Sequence, residues 1–209
     1  MIKNKKLKIL LATNNRAKVE RFKRLLNYID KNIEVFSPND LNIGIVEVGE
    51  NGKTLMDNAL LKANAYKNKV DFPILSNDTG FYVEGDGFVE APKRKALEGV
   101  DEHDLSEKEI SNRLLNFWKN IALKHGGEVD AAWVEAWAVL YPSGKIKSIE
   151  SRREIILTNH EFGTPHIHMP VRALYYSKIT NKPAVLHTEE DEIKEMTPVI
   201  KALKNILVY

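Results

Sequence analysis

The stretch from Leu7 to Ile29 constrains the fold more than any other part of the chain. Leu7, Ile9, Leu10, Leu11 and Ala12 form a compact apolar run that stops at the polar triplet Thr13-Asn14-Asn15, which is the pattern of a buried strand ending in a loop. Val19, Phe22, Leu25, Leu26 and Ile29 then recur at the spacing of one helical face. A buried strand followed at once by an amphipathic helix needs neighbouring strands on one side and a sheet face for the helix to cover. That is the opening unit of an α/β protein.

The remaining signals extend the same architecture. Thr54 and Asp57 stand three apart in a capping-box pattern, and Leu55, Ala59, Ala63, Tyr66 and Val70 supply the apolar face of the helix that follows. Pro73-Ile74-Leu75 reads as a short strand, Asn77-Asp78-Thr79-Gly80 as a turn and Phe81-Tyr82-Val83 as a second strand. Asp30 to Lys53 reads as a loop holding a short strand or two, and Glu84 to Asp104 as a charged, glycine-rich loop. Ser106 and Glu109 repeat the capping pattern, Ile110, Leu114, Trp118 and Ile121 form the stripe of another helix, and Gly126-Gly127 ends it. Ala131 to Tyr141 and Ile146 to Leu157, joined by Pro142-Ser143-Gly144-Lys145, predict a hairpin. Thr197 as cap and Pro198 at the first helical position open a last helix with Val199, Ile200, Leu203 and Leu207 as its apolar face. Helices alternating with strands around a hairpin imply a mixed central sheet flanked by helices, in one domain over residues 1–209.

Composition narrows the function classes. A chain of 209 residues can bury a self-sufficient core. It has no cysteine, which excludes disulfide scaffolds, thiol nucleophiles and cysteine-zinc sites and suits a cytoplasmic protein. Lys and Arg number 31 against 29 Asp and Glu, a formal charge of +2, so the excess of cations that drives nucleic-acid binding is missing. The run from Leu7 to Ala12 is too short for a signal-peptide core, and no stretch nears the roughly 20 apolar residues of a membrane helix. A soluble protein without nucleic-acid or membrane partners is expected.

Three groups of residues could carry chemistry. Thr13-Asn14-Asn15-Arg16-Ala17-Lys18 lies where a strand meets a helix N-terminus, a place that favours an anion, with Lys18 adding a full charge; taken alone, the fragment is more often a plain Asn14 or Asn15 cap with Lys18 in water. The stretch lacks the glycines and the Lys-Ser/Thr pair of a Walker loop. Glu47, Glu50, Asp57 and Asp78 are the carboxylates that could meet a magnesium ion, which binds through one or two carboxylates plus substrate phosphates. A capping box accounts for Asp57, whereas Asp78 is either a turn former or a site residue. Lys62 is either a snorkelling helix lysine or a phosphate ligand. Pro92-Lys93-Arg94-Lys95 is a small basic cluster that a solvated loop explains, and His166-Ile167-His168 has no third ligand at a zinc spacing.

Taken in order, four stretches resemble the inosine triphosphatase family of pyrophosphatases, which act on non-canonical purine nucleoside triphosphates. They are Ala12-Thr13-Asn14-Asn15-Arg16-Ala17-Lys18, Glu50-Asn51-Gly52-Lys53-Thr54, Asn58-Ala59-Leu60-Leu61-Lys62-Ala63 and Ser76-Asn77-Asp78-Thr79-Gly80-Phe81. The resemblance implies that Thr13, Asn15, Lys18 and Lys62 hold the triphosphate and that Glu50 and Asp78 bind magnesium. Asp78 is then the essential carboxylate, orienting or deprotonating the attacking water, and Thr79 lies beside it at a substrate-binding Ser/Thr position. It further implies two lobes with an active-site cleft between them, a homodimer, and products that are a monophosphate and pyrophosphate.

The chain also departs from the family pattern. Asn77 stands where the family usually has a second acid before the essential aspartate. Glu161-Phe162-Gly163-Thr164-Pro165-His166 lacks the aspartate and the second aromatic of the matching family stretch, and Glu195-Met196-Thr197-Pro198 replaces the late Lys…Ser-His-Arg motif that grips the base. Arg172, Tyr175, Tyr176, His166 and His168 lie in the unmatched stretch as candidates for a different base pocket. The alternatives to a non-canonical purine pyrophosphatase are therefore a pyrophosphatase for another nucleotide and an inactive nucleotide-binding protein of the same fold.

Overall fold

A computed structural model describes residues 6–44, 46–49 and 51–207. The elements, in chain order, are β1 (Leu7–Leu11), α1 (Arg16–Ile29), β2 (Ile33–Phe36), α2 (Leu55–Ala65), β3 (Ile74–Val83), β4 (Gly87–Phe88), α3 (Pro92–Leu97) and α4 (Glu107–Lys124). After them come β5 (Glu128–Leu140), β6 (Ile146–Thr158), β7 (Tyr175–Ser177), β8 (Lys182–Pro183), α5 (Glu189–Glu195) and α6 (Thr197–Leu207). The strands follow the order β2-β1-β3-β5-β6-β7-β8, and β4 pairs with β3. β1 runs parallel to β2 and β3, while β4, β7 and β8 pair antiparallel. This is the expected mixed sheet of an α/β protein.

The chain divides into two compact units, the first made of Met1–Thr79, Glu135–Ser151 and Pro198–Tyr209 and the second of Gly80–Val134 and Arg152–Thr197. In the first, Val19, Phe22, Leu25 and Leu26 of α1 are buried, so the helical stripe read from the sequence is the packed one. Leu10, Ala12, Ala63, Tyr66, Ile74 and Leu140 form one core cluster, and Ala59 of α2 meets Ala136 and Ala138 of β5 in another. Alanines on both sides let the helix backbone approach the strand closely. α6 closes this unit with Val199, Ala202, Leu203, Ile206 and Leu207.

The core of the second unit gathers around Phe81, whose ring lies 4.6 Å from that of Trp118 and 4.7 Å from that of Trp133, the latter edge-on. Ile155, Leu157, Leu174 and Tyr175 pack into the same cluster. Beside it lies a buried ion cluster: Arg153 Nη1 donates to Glu195 Oε1 at 3.0 Å, and His187 Nδ1 lies 3.3 Å from Glu195 Oε2. Burial alone would raise the Glu195 carboxyl, but the His187 hydrogen bond and the Arg153 charge outweigh it and hold it below the usual carboxylate range.

Four expectations need correction. Asn77-Asp78-Thr79-Gly80 is not a turn: β3 runs unbroken through it, because tertiary contacts satisfy its polar side chains. On α4 Trp118 is buried as expected, whereas Ser111, Leu115 and Ala122 are buried in place of the half-buried Ile110, Leu114 and Ile121, one position on, since the small Ser111 and Ala122 permit the closest approach. The charged loop after Glu84 contains β4 and α3, and a helix that the sequence reading passed over, α5, precedes α6. Thr197 does not cap α6; its hydroxyl donates to the Lys194 carbonyl at 2.7 Å, so it satisfies the end of α5 instead.

Truncating Phe81 to Ala should destabilise the protein by about 3–5 kcal/mol in denaturant unfolding, the usual cost of emptying an aromatic core site. The depressed Glu195 carboxyl contributes stability that is fully present above its unfolded value and lost as pH falls through the folded one. The stability gap between wild type and Glu195→Gln, read by thermal unfolding, should therefore narrow as pH drops below the ordinary carboxylate value of 4.5.

Candidate active site

The residues of the loop after β1, of α1, of α2 and of β3 up to Thr79 belong to the first unit. The loop after β1 is pinned at its start, where the Ala12 amide donates to the Leu75 carbonyl at 2.8 Å. Thr13 Oγ1 then accepts from the Asn15 amide at 3.2 Å, and Asn15 Oδ1 accepts from the Lys18 amide at 3.0 Å. Asn15 is thus the N-cap of α1. The loop stands at the carboxyl end of a parallel strand, where open α/β sheets bind ligands. Lys18 is half-buried and lines a crevice with Thr13, Phe22, Asn77 and Trp137.

Asp78 is 7% exposed, on the interior of β3. Lys62 Nζ, from α2, donates to its Oδ1 at 2.7 Å, and Asn58 Nδ2, one turn earlier, donates to its Oδ2 at 3.3 Å. The α2 spacing is what makes this possible, because positions four apart share a helical face. Asn58 works at both ends of its amide: Oδ1 accepts from the Gly52 amide at 2.9 Å. A Cβ at Gly52 would lie 2.6 Å from Asp57 Cβ and 2.7 Å from Asn58 Oδ1, so only glycine fits there. The Thr54 and Asp57 capping box starts the helix just beyond, as the sequence predicted.

Neighbouring residues of β3 are held as firmly. Ser76 Oγ lies 2.6 Å from the Ala59 carbonyl on the α2 side. Asn77 Nδ2 reaches the Ala136 carbonyl at 3.3 Å, and Thr79 Oγ1 donates to Asn77 Oδ1 at 3.0 Å. By the period of a strand, Ser76 and Asp78 point to one face and Asn77 and Thr79 to the other. The structure therefore gathers Asp78, Lys62 and Asn58 on the α2 side, and sets Asn77 in the crevice with Thr13 and Lys18.

Other candidates fall elsewhere. Glu50 lies outside the described residues. Glu47 is exposed, and Asp57 is fully accounted for as a cap. In the second unit, Lys93 pairs with Glu102. Arg172 Nη2 donates to the Ala184 carbonyl at 2.7 Å and to Glu192 at 3.0 Å. Tyr175 belongs to the core rather than to a base pocket: it is 2% exposed, and burial pushes its hydroxyl up to about 12. The His166 and His168 rings lie 5.7 Å apart, and no group of three metal-ligating side chains exists among the described residues.

Sequence reasoning missed Asn58, Gly52 and Glu135. Asn58 is a poor helix former in a helix interior, a signal that its amide is used for something else. Glu135 is fully buried on β5 and accepts from Arg21 Nη2 of α1 at 2.7 Å. An acid inside an otherwise apolar strand run was the visible sign of it.

Comparison with known proteins places this geometry in context. The sequence model of the Ham1 family matches residues 9–152, a span that contains α1, α2, β3 and β5. The dITP/XTP pyrophosphatase of Malacoplasma penetrans is 30% identical over 154 residues, 71% of this chain and 70% of that protein. The enzyme of the same name from Wigglesworthia glossinidia brevipalpis is 44% identical over 78 residues, which span 37% of this chain and only 36% of the relative. The Ham1 protein of Staphylococcus aureus shares the fold at a TM-score of 0.66 and 19% identity, covering 95% of this chain and 98% of that one.

Replacing Gly52 by Ala should cost about 1–3 kcal/mol, because the new methyl meets Asp57 and the Asn58 backbone and must displace the start of α2. Urea unfolding of the purified variant measures it.

Proposed function

The chain belongs to the Ham1 family, and from that premise we propose that it hydrolyses the link between the α and β phosphates of non-canonical purine nucleoside triphosphates, giving a monophosphate and pyrophosphate. The observation that carries the reading is the buried Asp78 carboxylate held between Lys62 and Asn58, inside the matched span. A carboxylate so placed has two uses here, to orient a water and to take its proton. The relatives named as dITP/XTP pyrophosphatases give the substrate class.

The reaction needs a water aligned with the α phosphorus, neutralised phosphate oxygens and a stabilised pyrophosphate leaving group. The Asn15-capped N-terminus of α1, Thr13 and Lys18 offer backbone donors, a hydroxyl and a charge to the phosphate chain. Lys62 donates to Asp78. A bound triphosphate competes for that ammonium, and its transfer leaves Oδ1 of Asp78 with a lone pair for the water. The water oxygen bonds to the α phosphorus, the bond from that phosphorus to the bridging oxygen breaks, and the water proton passes to Asp78. Asn58, still bonded to Oδ2 and to Gly52, keeps the carboxylate oriented throughout. Thr79, fixed on Asn77, contributes its hydroxyl to substrate binding from the opposite face of the strand.

The donor chemistry suits magnesium. Asp78 is a hard oxygen donor, and one or two carboxylates with substrate phosphates are what that ion commonly takes. Asp78 and Glu50 would hold it, and when bound it neutralises and polarises phosphate oxygens. With Asn77, whose amide donates a hydrogen bond to the Ala136 carbonyl, where the family usually places an acid, the ion would be held with one less negative charge nearby. The reading extends to a cytoplasmic homodimer, supported by the family resemblance and by the lack of cysteine.

Purified protein incubated with a panel of canonical and non-canonical nucleoside triphosphates should release pyrophosphate from the inosine and xanthosine compounds, and chelation should abolish it. Release of orthophosphate instead, or equal rates on the four canonical nucleotides, would refute this assignment.

A further inference from the structure

We propose that Glu135 is a positioning residue for the triphosphate: through Arg21 it sets the rotation and register of α1 so that Lys18 meets the phosphates. The inference rests on the reading of Lys18 as a phosphate ligand and assigns a role to a group outside that reading. Glu135 has no exposed surface, and its Oε1 accepts from Arg21 Nη2 at 2.7 Å. Desolvating such a pair is costly, and apolar residues of like volume generally hold a core as well or better. What the pair gives that an apolar contact does not is a fixed direction, since a guanidinium meets a carboxylate in a defined plane.

The placement makes that direction count. Arg21 follows Lys18 by three residues, one helical turn on, so the two share a flank of α1. The next residue, Phe22, packs edge-on against Trp137 with ring centroids 4.9 Å apart. Trp137 is two residues from Glu135 along β5 and therefore on the same face of the strand. Two successive helix residues thus dock on two same-face strand residues, one by charge and one by an aromatic edge, which fixes both slide and rotation. The strand side is itself tied down: Trp137 Nε1 donates to Ser151 Oγ at 3.3 Å, and Ser151 Oγ lies 3.4 Å from the Glu135 carbonyl. Phe22 and Trp137 are also walls of the crevice that Lys18 and Asn77 line, so the docked register decides where the Lys18 ammonium stands. The Arg21 side chain is 38% exposed, so it can be replaced without forcing a new group into the core.

The test is calorimetric binding of inorganic triphosphate to four full-length proteins: wild type, Lys18→Ala, the pair replacement Arg21→Met with Glu135→Leu, and the triple variant. Thermal unfolding of each is measured alongside. The pair replacement should keep or raise the unfolding temperature yet weaken inorganic triphosphate about tenfold, the loss expected from misaligning one charge-assisted contact. In the Lys18→Ala background the same replacement should cost nothing more. A folded pair variant with unchanged affinity, or one whose loss is the same with and without Lys18, overturns the proposal. Wild-type affinity in Lys18→Ala alone overturns the phosphate reading beneath it, a separate result. If the apolar pair does not fold, Glu135→Gln keeps the shape, removes the charge and carries the same two expectations.

Discussion

The first unit is organised around one buried contact, the Asp78 carboxylate on the Lys62 ammonium. An ionised carboxylate with 7% exposure in the middle of a strand is unfavourable unless charge and hydrogen bonds meet it. Everything nearby serves that requirement. α2 must approach β3 closely enough for Lys62 and Asn58 to reach, and the alanines at 59, 136 and 138 permit it. Its start must be fixed along the axis, and the Thr54 and Asp57 capping box fixes it. Gly52 leaves room for the chain to fold back onto Asn58, which completes the second bond to Asp78. These are features of different elements, but they answer a single electrostatic demand.

Strand geometry then divides the labour. β3 alternates its side chains, so Asp78 meets α2 while Asn77 and Thr79 meet the other face, and a single ten-residue strand presents polar groups in both directions. A turn at these positions, which the residues themselves suggested, would give up the ladder to β5 and the bond from Asn77 to Ala136. The polar groups are affordable inside the sheet because each has a partner. The chemistry and the fold are thus compatible only through tertiary contacts.

Much of the architecture was legible in the sequence. The apolar run before Thr13 and the 3.6-residue spacing after it specified β1 and α1, and two capping boxes marked the starts of α2 and α4 within a residue. Long alternating segments around Pro142-Ser143-Gly144-Lys145 marked the hairpin. What was missed was fixed by partners distant in the chain. β3 looked broken because Asn-Asp-Thr-Gly is a turn composition by local chemistry alone. α5, with the sequence Glu-Glu-Asp-Glu-Ile-Lys-Glu, has little apolar face to detect, although its Thr188 and Asp191 form the same capping box that revealed the other helices. At the site, Asp78 and Lys62 were readable from motif order, whereas Asn58 and Glu135 act through residues 20 and 114 positions away, and only an amide inside a helix and an acid inside an apolar strand hinted at them.

The central claim is that Asp78 does the chemistry and does not merely anchor α2. Single-turnover pyrophosphate release by Asp78→Asn, with inosine triphosphate binding measured on the same preparation, separates the two roles. A folded variant that still binds the nucleotide but releases pyrophosphate at least about a hundredfold more slowly is the predicted result, since that is the usual worth of a positioned base. A variant that turns over at the wild-type rate would contradict the account.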